Sequence, residues 1–296
     1  MKALVICPSV RPAVPRLAAS GCLSTVPILG GCLAIHWIEH LAGLGAGKIQ
    51  VICSDDEELV RAAVGNGSQW GVHVDVISRG IEPTVEEVAG RYHADGGAGW
   101  LPAPDDVVPM SHLPGRPGRP LFESYGGWFA ALLDWMPRAM TPSRVRVTEV
   151  RPGIWVGSRA RISPAATLVA PCWIGDQVYV EAGACVGPAA IVEDRAVVGE
   201  KARVAQSWVG SDTFVGPMTS VTHSLAWGST LIDWRTDSAL HVPDPFLLSS
   251  LANPASPPLT DRFGRPLARP VPAPQGRLAN PLRAPLASAS CVKQPG

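Results

Sequence analysis

Residues 156–198 read VGSRARISPAATLVAPCWIGDQVYVEAGACVGPAAIVEDRAVV, and every sixth residue here and just beyond is aliphatic: Val156, Ile162, Leu168, Ile174, Val180, Val186, Val192, Val198 and Val204. One residue is then dropped and the count resumes at Val209, Val215, Val221 and Trp227, so that about thirteen units run from Val156 to Ile232. Glycine often follows the aliphatic, as at Gly157, Gly175, Gly187 and Gly199, and the fourth position after it is small, as at Ala160, Ala166, Cys172 and Ala184. A period of six suits neither an amphipathic helix nor a long alternating strand. It suits a coil with three short flat faces, each lending one aliphatic to a shared interior, and such coils stack as a solenoid. The small residue sits where a larger one would overfill that interior, and glycine eases the corner. At roughly 1.5–3 kcal/mol per buried aliphatic, the four or so coils implied sustain their own core.

Composition narrows the rest. The chain has 296 residues, is 46% hydrophobic and carries zero formal net charge, which fits a soluble globular protein of two modest domains and gives no basic excess for nucleic acid. There is no run of apolar residues long enough to span a membrane, and the start Met1 to Ile6 is too short, and too soon followed by Pro8, for a signal peptide; a cytoplasmic location is expected. Seven cysteines without a C-x-x-C pair suggest neither a disulfide framework nor a zinc site, and Cys172 and Cys185 serve as small apolar residues of the repeat.

Ahead of the repeat, Lys2–Cys7 reads as a buried strand and 33–44 as a helix stopped by Gly45 and Gly47. Lys48–Cys53 reads as a second strand, Asp55 and Asp56 cap a helix through Val64, and 72–77 alternates as a third strand, an order that implies a parallel sheet. Gly96 to Pro120 reads as a loop containing Asp105 and Asp106, with Asp95 beside it, and Phe122 to Met136 as a helix ended by Pro137. After the repeat, Asp244 and Pro245 predict a short helix over the open end of the coil, and the proline-rich tail 252–296 is expected to be disordered. The expected divisions are 1–79, 80–145, 146–251 and 252–296.

The repeat resembles the left-handed parallel β-helix of the hexapeptide-repeat superfamily, which includes acyltransferases and C-terminal domains of sugar-phosphate nucleotidyltransferases. A second resemblance lies in Ile38-Glu39-His40-Leu41-Ala42-Gly43-Leu44-Gly45, the strand Ile49 to Cys53, and Gly65-Asn66-Gly67-Ser68-Gln69-Trp70-Gly71-Val72. This succession is similar to the first half of a nucleotide-sugar pyrophosphorylase. Together the two imply an α/β fold, with a partial Rossmann-like nucleotidyltransferase sheet, followed by a left-handed β-helix. They further imply a nucleotide or nucleotide-sugar ligand, Mg²⁺ if the protein is active, Arg11 and Arg16 on phosphates, and Gly65, Gly67 and Gly71 at the nucleotide-side wall. The sequence departs from that family where its glycine-rich phosphate loop belongs: Cys7-Pro8-Ser9-Val10-Arg11-Pro12 has no glycine, and no lysine occurs between Lys2 and Lys48. The span between Ile77 and the repeat is also too short for the family's second half.

Three functions follow from these readings. The first is a nucleotidyltransferase-like protein of nucleotide-sugar or polysaccharide metabolism with weakened or lost catalysis. The second is an acyltransferase on the solenoid, with acyl-coenzyme A as donor and His223 as general base. The third is a binding or assembly module, a homo-oligomer through the β-helix with Trp155, Trp173 and Trp208 outward at the contact.

Overall fold

The computed structural model describes residues 1–19, 21–92, 99–139 and 147–252. Asp95, Cys291 and all but the first residue of the proline-rich tail lie outside them. The fold is mixed α/β, with a parallel sheet in the N-terminal part and many short, mostly parallel strands after it.

Strand β1 (Lys2–Ile6) is apolar on both faces and runs at the centre of the sheet. A loop and a two-residue hairpin, β2 (Pro27–Ile28) and β3 (Gly31–Cys32), lead into helix α1 (Leu33–Gly43). Then come β4 (Lys48–Cys53), α2 (Glu57–Val64), β5 (His73–Ser78), α3 (Val85–Tyr92), β6 (Val107–Pro109) and α4 (Tyr125–Trp135). The caps are local. Asp56 Oδ1 accepts from the Leu59 amide at 3.2 Å, and Ser124 Oγ accepts from Gly127 at 3.0 Å, each satisfying a helix-terminal donor. The sheet order is β5-β4-β1-β6, all parallel.

Strand β6 corrects the expectation of an unbroken loop from Gly96 to Pro120. Its three residues are too few to show a period, and only their pairing beside β1, Leu4 with Val107 and Ile6 with Pro109, makes them a strand. Pro109 is tolerated because it ends the strand at the sheet's edge. The span 80–145 therefore contributes α3, β6 and α4 to the α/β layer rather than merely connecting two domains.

In the repeat the chain visits three sheets in rotation. Ile154–Gly157, Arg161–Ile162 and Thr167–Leu168 make one turn, and Cys172–Ile174 then lies parallel to the first strand with Ile174 beside Val156. Later turns add Ala190–Val192, Ser207–Val209 and Ser224–Trp227 to that same sheet, an arrangement compatible with a parallel β-helix. The interior is the aliphatic column of the sequence, with Ile174, Val186, Val192, Val198 and Val204 fully buried. Burial pushes the Cys172 thiol up to about 11, which befits an inert packing residue. One position differs from the sequence reading. Val209 pairs with Ala226, so a second residue is dropped after Val221, Ala226 fills the interior, and Trp227 turns outward onto Trp208 at 5.7 Å.

The far end is closed by strands rather than by the expected helix at Asp244. A hairpin, Thr230–Asp233 and Ser238–His241, extends one sheet antiparallel, and Leu248–Ser250 lies antiparallel on Thr213–Val215. Asp244 Oδ1 accepts from Phe246 at 2.9 Å in a single turn. Too few residues separate Pro245 from Leu248 to nucleate a helix, and Leu248 gains burial in the solenoid core as a strand.

The outward residues of the sheet containing Trp155 form a column, Trp155, Trp173, Ile191, Trp208 and Leu225 in register. The α/β half covers it. Trp128 of α4 meets Trp208 edge to face at 5.1 Å, and all five column residues share one core with α1 and α4. The tryptophans expected at a contact between copies are thus an intramolecular interface, because aromatics on a flat sheet face are buried by the nearest apolar partner, here the chain's own helices.

Within that interface Glu193 is almost completely buried. Its Oε1 accepts from the Leu29 amide at 2.6 Å and from Trp208 Nε1 at 3.1 Å, and its Oε2 accepts from the Gly30 amide at 2.9 Å. The two amides point together because Leu29 and Gly30, the turn between β2 and β3, both have positive φ, 48° and 75°. Burial pushes Glu193 up to about 7 from 4.5, outweighing the three donors, which favour the carboxylate. Glu193→Ala leaves three buried N–H groups without an acceptor and is expected to lower the unfolding free energy by roughly 3 kcal/mol or more in urea titrations. Because the folded pKa lies above the unfolded one, the proton's contribution is complete below 4.5 and is lost as pH rises through about 7. The wild type should therefore lose stability relative to Glu193→Gln between pH ~5 and ~8, by a few kcal/mol. A difference that stays flat with pH, or in which the wild type gains on Glu193→Gln as pH rises, contradicts the assignment.

Candidate functional site

The carboxyl ends of all four parallel strands open on one crevice of about 650 Å³. Ile6 closes β1, Ser54 and Asp55 follow β4, the segment 80–85 follows β5 and leads into α3, and Pro109 ends β6. The chain moves outward from β1 to β4 and β5 on one side, then crosses back to place β6 on the other, so the strand order reverses beside β1. Open α/β sheets bind ligands at such a reversal, because the loops diverge there and leave a cleft over the strand ends.

The lining is specific. It offers the hydroxyls of Ser9 and Thr84, the carboxylates of Asp55 and Glu82, and an apolar lip that includes Ile81, 82% exposed. No lysine, arginine or histidine is among its lining residues. Asp55 Oδ2 accepts from the Val10 amide at 3.0 Å, so the first acid of the expected helix cap is turned instead toward the loop after β1. The Ser54 hydroxyl is shut off from solvent without a hydrogen-bond partner among the described residues.

Beside the crevice, the loop after β1 closes around Glu82. The Ser9 amide and hydroxyl donate to Oε2 at 2.9 and 2.7 Å, and the Arg11 guanidinium donates to Oε2 and Oε1, both at 2.7 Å. Although burial pushes the Glu82 carboxyl up, these donors outweigh it and hold the group below its ordinary range; Arg11 is raised chiefly by its hydrogen bond to Glu82. Arg11, expected on a phosphate, already holds an anion. Sequence reading missed Glu82 because its partners lie more than seventy residues away and nothing local marks it.

The remaining expected site residues do not gather here. Arg16 lines a separate cleft near the end of the solenoid, and its amide donates to the Tyr125 hydroxyl at 3.0 Å. Gly65, Gly67 and Gly71 lie in the α2–β5 connection at the amino ends of the strands, opposite the crevice. Gly67 has φ 79°, and a Cβ there would come within 2.5 Å of Val74, so this residue is required by the turn. His223 occupies a corner of the solenoid with φ 54°, 5.6 Å from the Trp234 ring, and lines neither cavity. Among the described residues no group of three or more His, Cys, Asp or Glu side chains is placed to hold a metal ion. Compared with known proteins, the chain matches no family model and no curated sequence.

The Glu82 contacts are partly exposed, with Arg11 and Glu82 side chains 33% and 23% accessible. Glu82→Ala should therefore cost about 1 kcal/mol or less, while hydrogen exchange at the Ser9 amide accelerates markedly relative to β1. Unchanged exchange at Ser9 would show that Glu82 does not order this loop.

Proposed function

We propose that this protein is a degenerate relative of the sugar-phosphate nucleotidyltransferases carrying a left-handed parallel β-helix, and that it binds the nucleoside or sugar end of a nucleotide sugar without turning it over. The observation that carries the reading is the crevice at the strand-order reversal, lined by hydroxyls and carboxylates and by no cation. Ribose and hexose present vicinal hydroxyls that donate to a carboxylate such as Asp55 and exchange hydrogen bonds with Ser9 and Thr84. Ile81 and Pro83 give an apolar edge for a base or sugar ring.

The same lining argues against transfer. Nucleotidyl transfer builds negative charge on phosphate oxygens and needs cations aimed at them. Here the nearest arginine and Glu82 neutralise each other, and the remaining carboxylate, Asp55, would repel a polyphosphate. The phosphates of a bound nucleotide sugar then face solvent. In this reading the chain serves nucleotide-sugar or polysaccharide metabolism as a binding component, with the solenoid as its rigid support. His223, the base in an acyltransferase reading, lines neither the crevice nor the second cleft.

Calorimetric titration tests this with a nucleotide sugar, its free nucleoside and the nucleoside triphosphate, each with and without Mg²⁺, and with acetyl-coenzyme A. The nucleotide sugar and nucleoside should bind within a few-fold of each other, the triphosphate more weakly, and Asp55→Ala should weaken the first two by roughly tenfold or more. Tightest binding of the Mg²⁺–triphosphate, release of pyrophosphate in the presence of a sugar phosphate, binding of acetyl-coenzyme A alone, or silence across the panel would each overturn it.

A further inference from the structure

The second cavity is distinct from the crevice. It is a cleft of about 280 Å³ where the short 3-10 turn Pro15–Ala18, in the loop after β1, faces the last turn of the solenoid and the hairpin that follows it. Its floor is apolar, made by Leu17, Trp208, Leu225 and Ile232, all fully or nearly fully buried, with Trp227 at the side. Its rim carries the hydroxyls of Ser229, Thr230 and Ser250 and the guanidinium of Arg16. Among the described residues no carboxylate pairs with that guanidinium and no hydrogen bond engages those three hydroxyls.

These features belong together physically. An unpaired cation above an apolar floor favours an anion with an apolar body. The rim is held in place before any ligand arrives. The Arg16 amide donates to the Tyr125 hydroxyl at 3.0 Å, Leu17 is locked in the core, and Gly228, next to Ser229, donates its amide to Thr213 Oγ1 at 3.0 Å. Such preorganisation lowers the entropy lost on binding. A single guanidinium matches one carboxylate in a bidentate contact, whereas a doubly charged phosphate monoester calls for more positive charge than the lining supplies. At about 280 Å³ the cleft lies just below the range of drug-sized sites, which sets the ligand at one ring or a short branched chain.

We infer that this cleft is a binding site for a small carboxylate with an aromatic or branched apolar body, seated against Trp227 with its carboxylate on Arg16 and its other polar atoms on the Ser229 and Thr230 hydroxyls. The inference is independent of any ligand in the crevice.

Fluorine NMR of a fluorobenzoate titrated with the full chain tests it, with the neutral fluorobenzamide as the isosteric comparison. The acid should show saturable broadening, the amide should bind roughly tenfold more weakly or worse, and Arg16→Gln should weaken the acid by a similar factor. Arg16 is on the surface, so the variant keeps its fold, which its circular dichroism verifies. Arg203→Gln, an exposed arginine of the solenoid outside the cleft lining, should leave acid binding unchanged. Equal binding of acid and amide, insensitivity to Arg16→Gln, an equal loss caused by Arg203→Gln, or no binding of the acid would overturn the assignment.

Discussion

Burying a carboxylate between two packed layers is costly unless its lone pairs are met by donors, and the contact of Glu193 with the Leu29–Gly30 turn shows how that requirement shapes its surroundings. The two successive amides converge on one carboxylate through a left-handed turn at Leu29 and Gly30. A leucine therefore takes a positive φ, which a branched side chain adopts reluctantly, and its side chain is driven into the core. The third donor, Trp208 Nε1, lies in the column of outward residues that the α/β half covers. The same polar contact thus fixes the register between the turn and the solenoid face, while the tryptophan column supplies the apolar area. The burial is not perfectly satisfied: the indole N–H groups of Trp128 and Trp173 lie in this core without hydrogen-bond partners among the described residues. Apolar area outweighs those two losses.

A second carboxylate plays a related part at the other end of the loop. Glu82 takes the Ser9 amide, the Ser9 hydroxyl and both terminal nitrogens of Arg11, a donor set suited to an external anion. The chain thus meets two clusters of N–H donors after its first strand with its own side chains. What remains open in the crevice is hydroxyl and carboxylate, and this moves the proposed chemistry from phosphate handling to recognition of a polyol or nucleoside.

Much of the architecture could be read directly. The hexad column, the three strands β1, β4 and β5, and helices α1, α2 and α4 all fall within a few residues of where pattern and capping place them. The misreadings share a cause. Strand β6 is three residues long, Trp227 differs from Ala226 by a single dropped residue, and Leu248–Ser250 is a strand only because Thr213–Val215 pairs with it. Short elements carry too little local signal, and their state is set by the partner rather than by propensity. The candidate site was less legible. Arg11 was visible as a cation near the first strand, but the residue that engages it was not, and the grouping of Arg16 with Arg11 ignored which side of the loop each occupies.

The sequence by itself determined the elements whose information is local or periodic: a six-residue period that admits only a coil, a strand-helix alternation that implies a parallel sheet, and glycines where a turn requires positive φ. Tertiary structure alone decided what those elements face. The tryptophan column meets the chain's own helix α4, Glu193 meets a turn more than one hundred and sixty residues earlier, and Glu82 meets Arg11 across seventy-one. Such pairings have no period and no fixed spacing. They arise because burial brings apolar faces together first, and the polar groups carried inside with them must then find whatever donors and acceptors the packing has placed within reach.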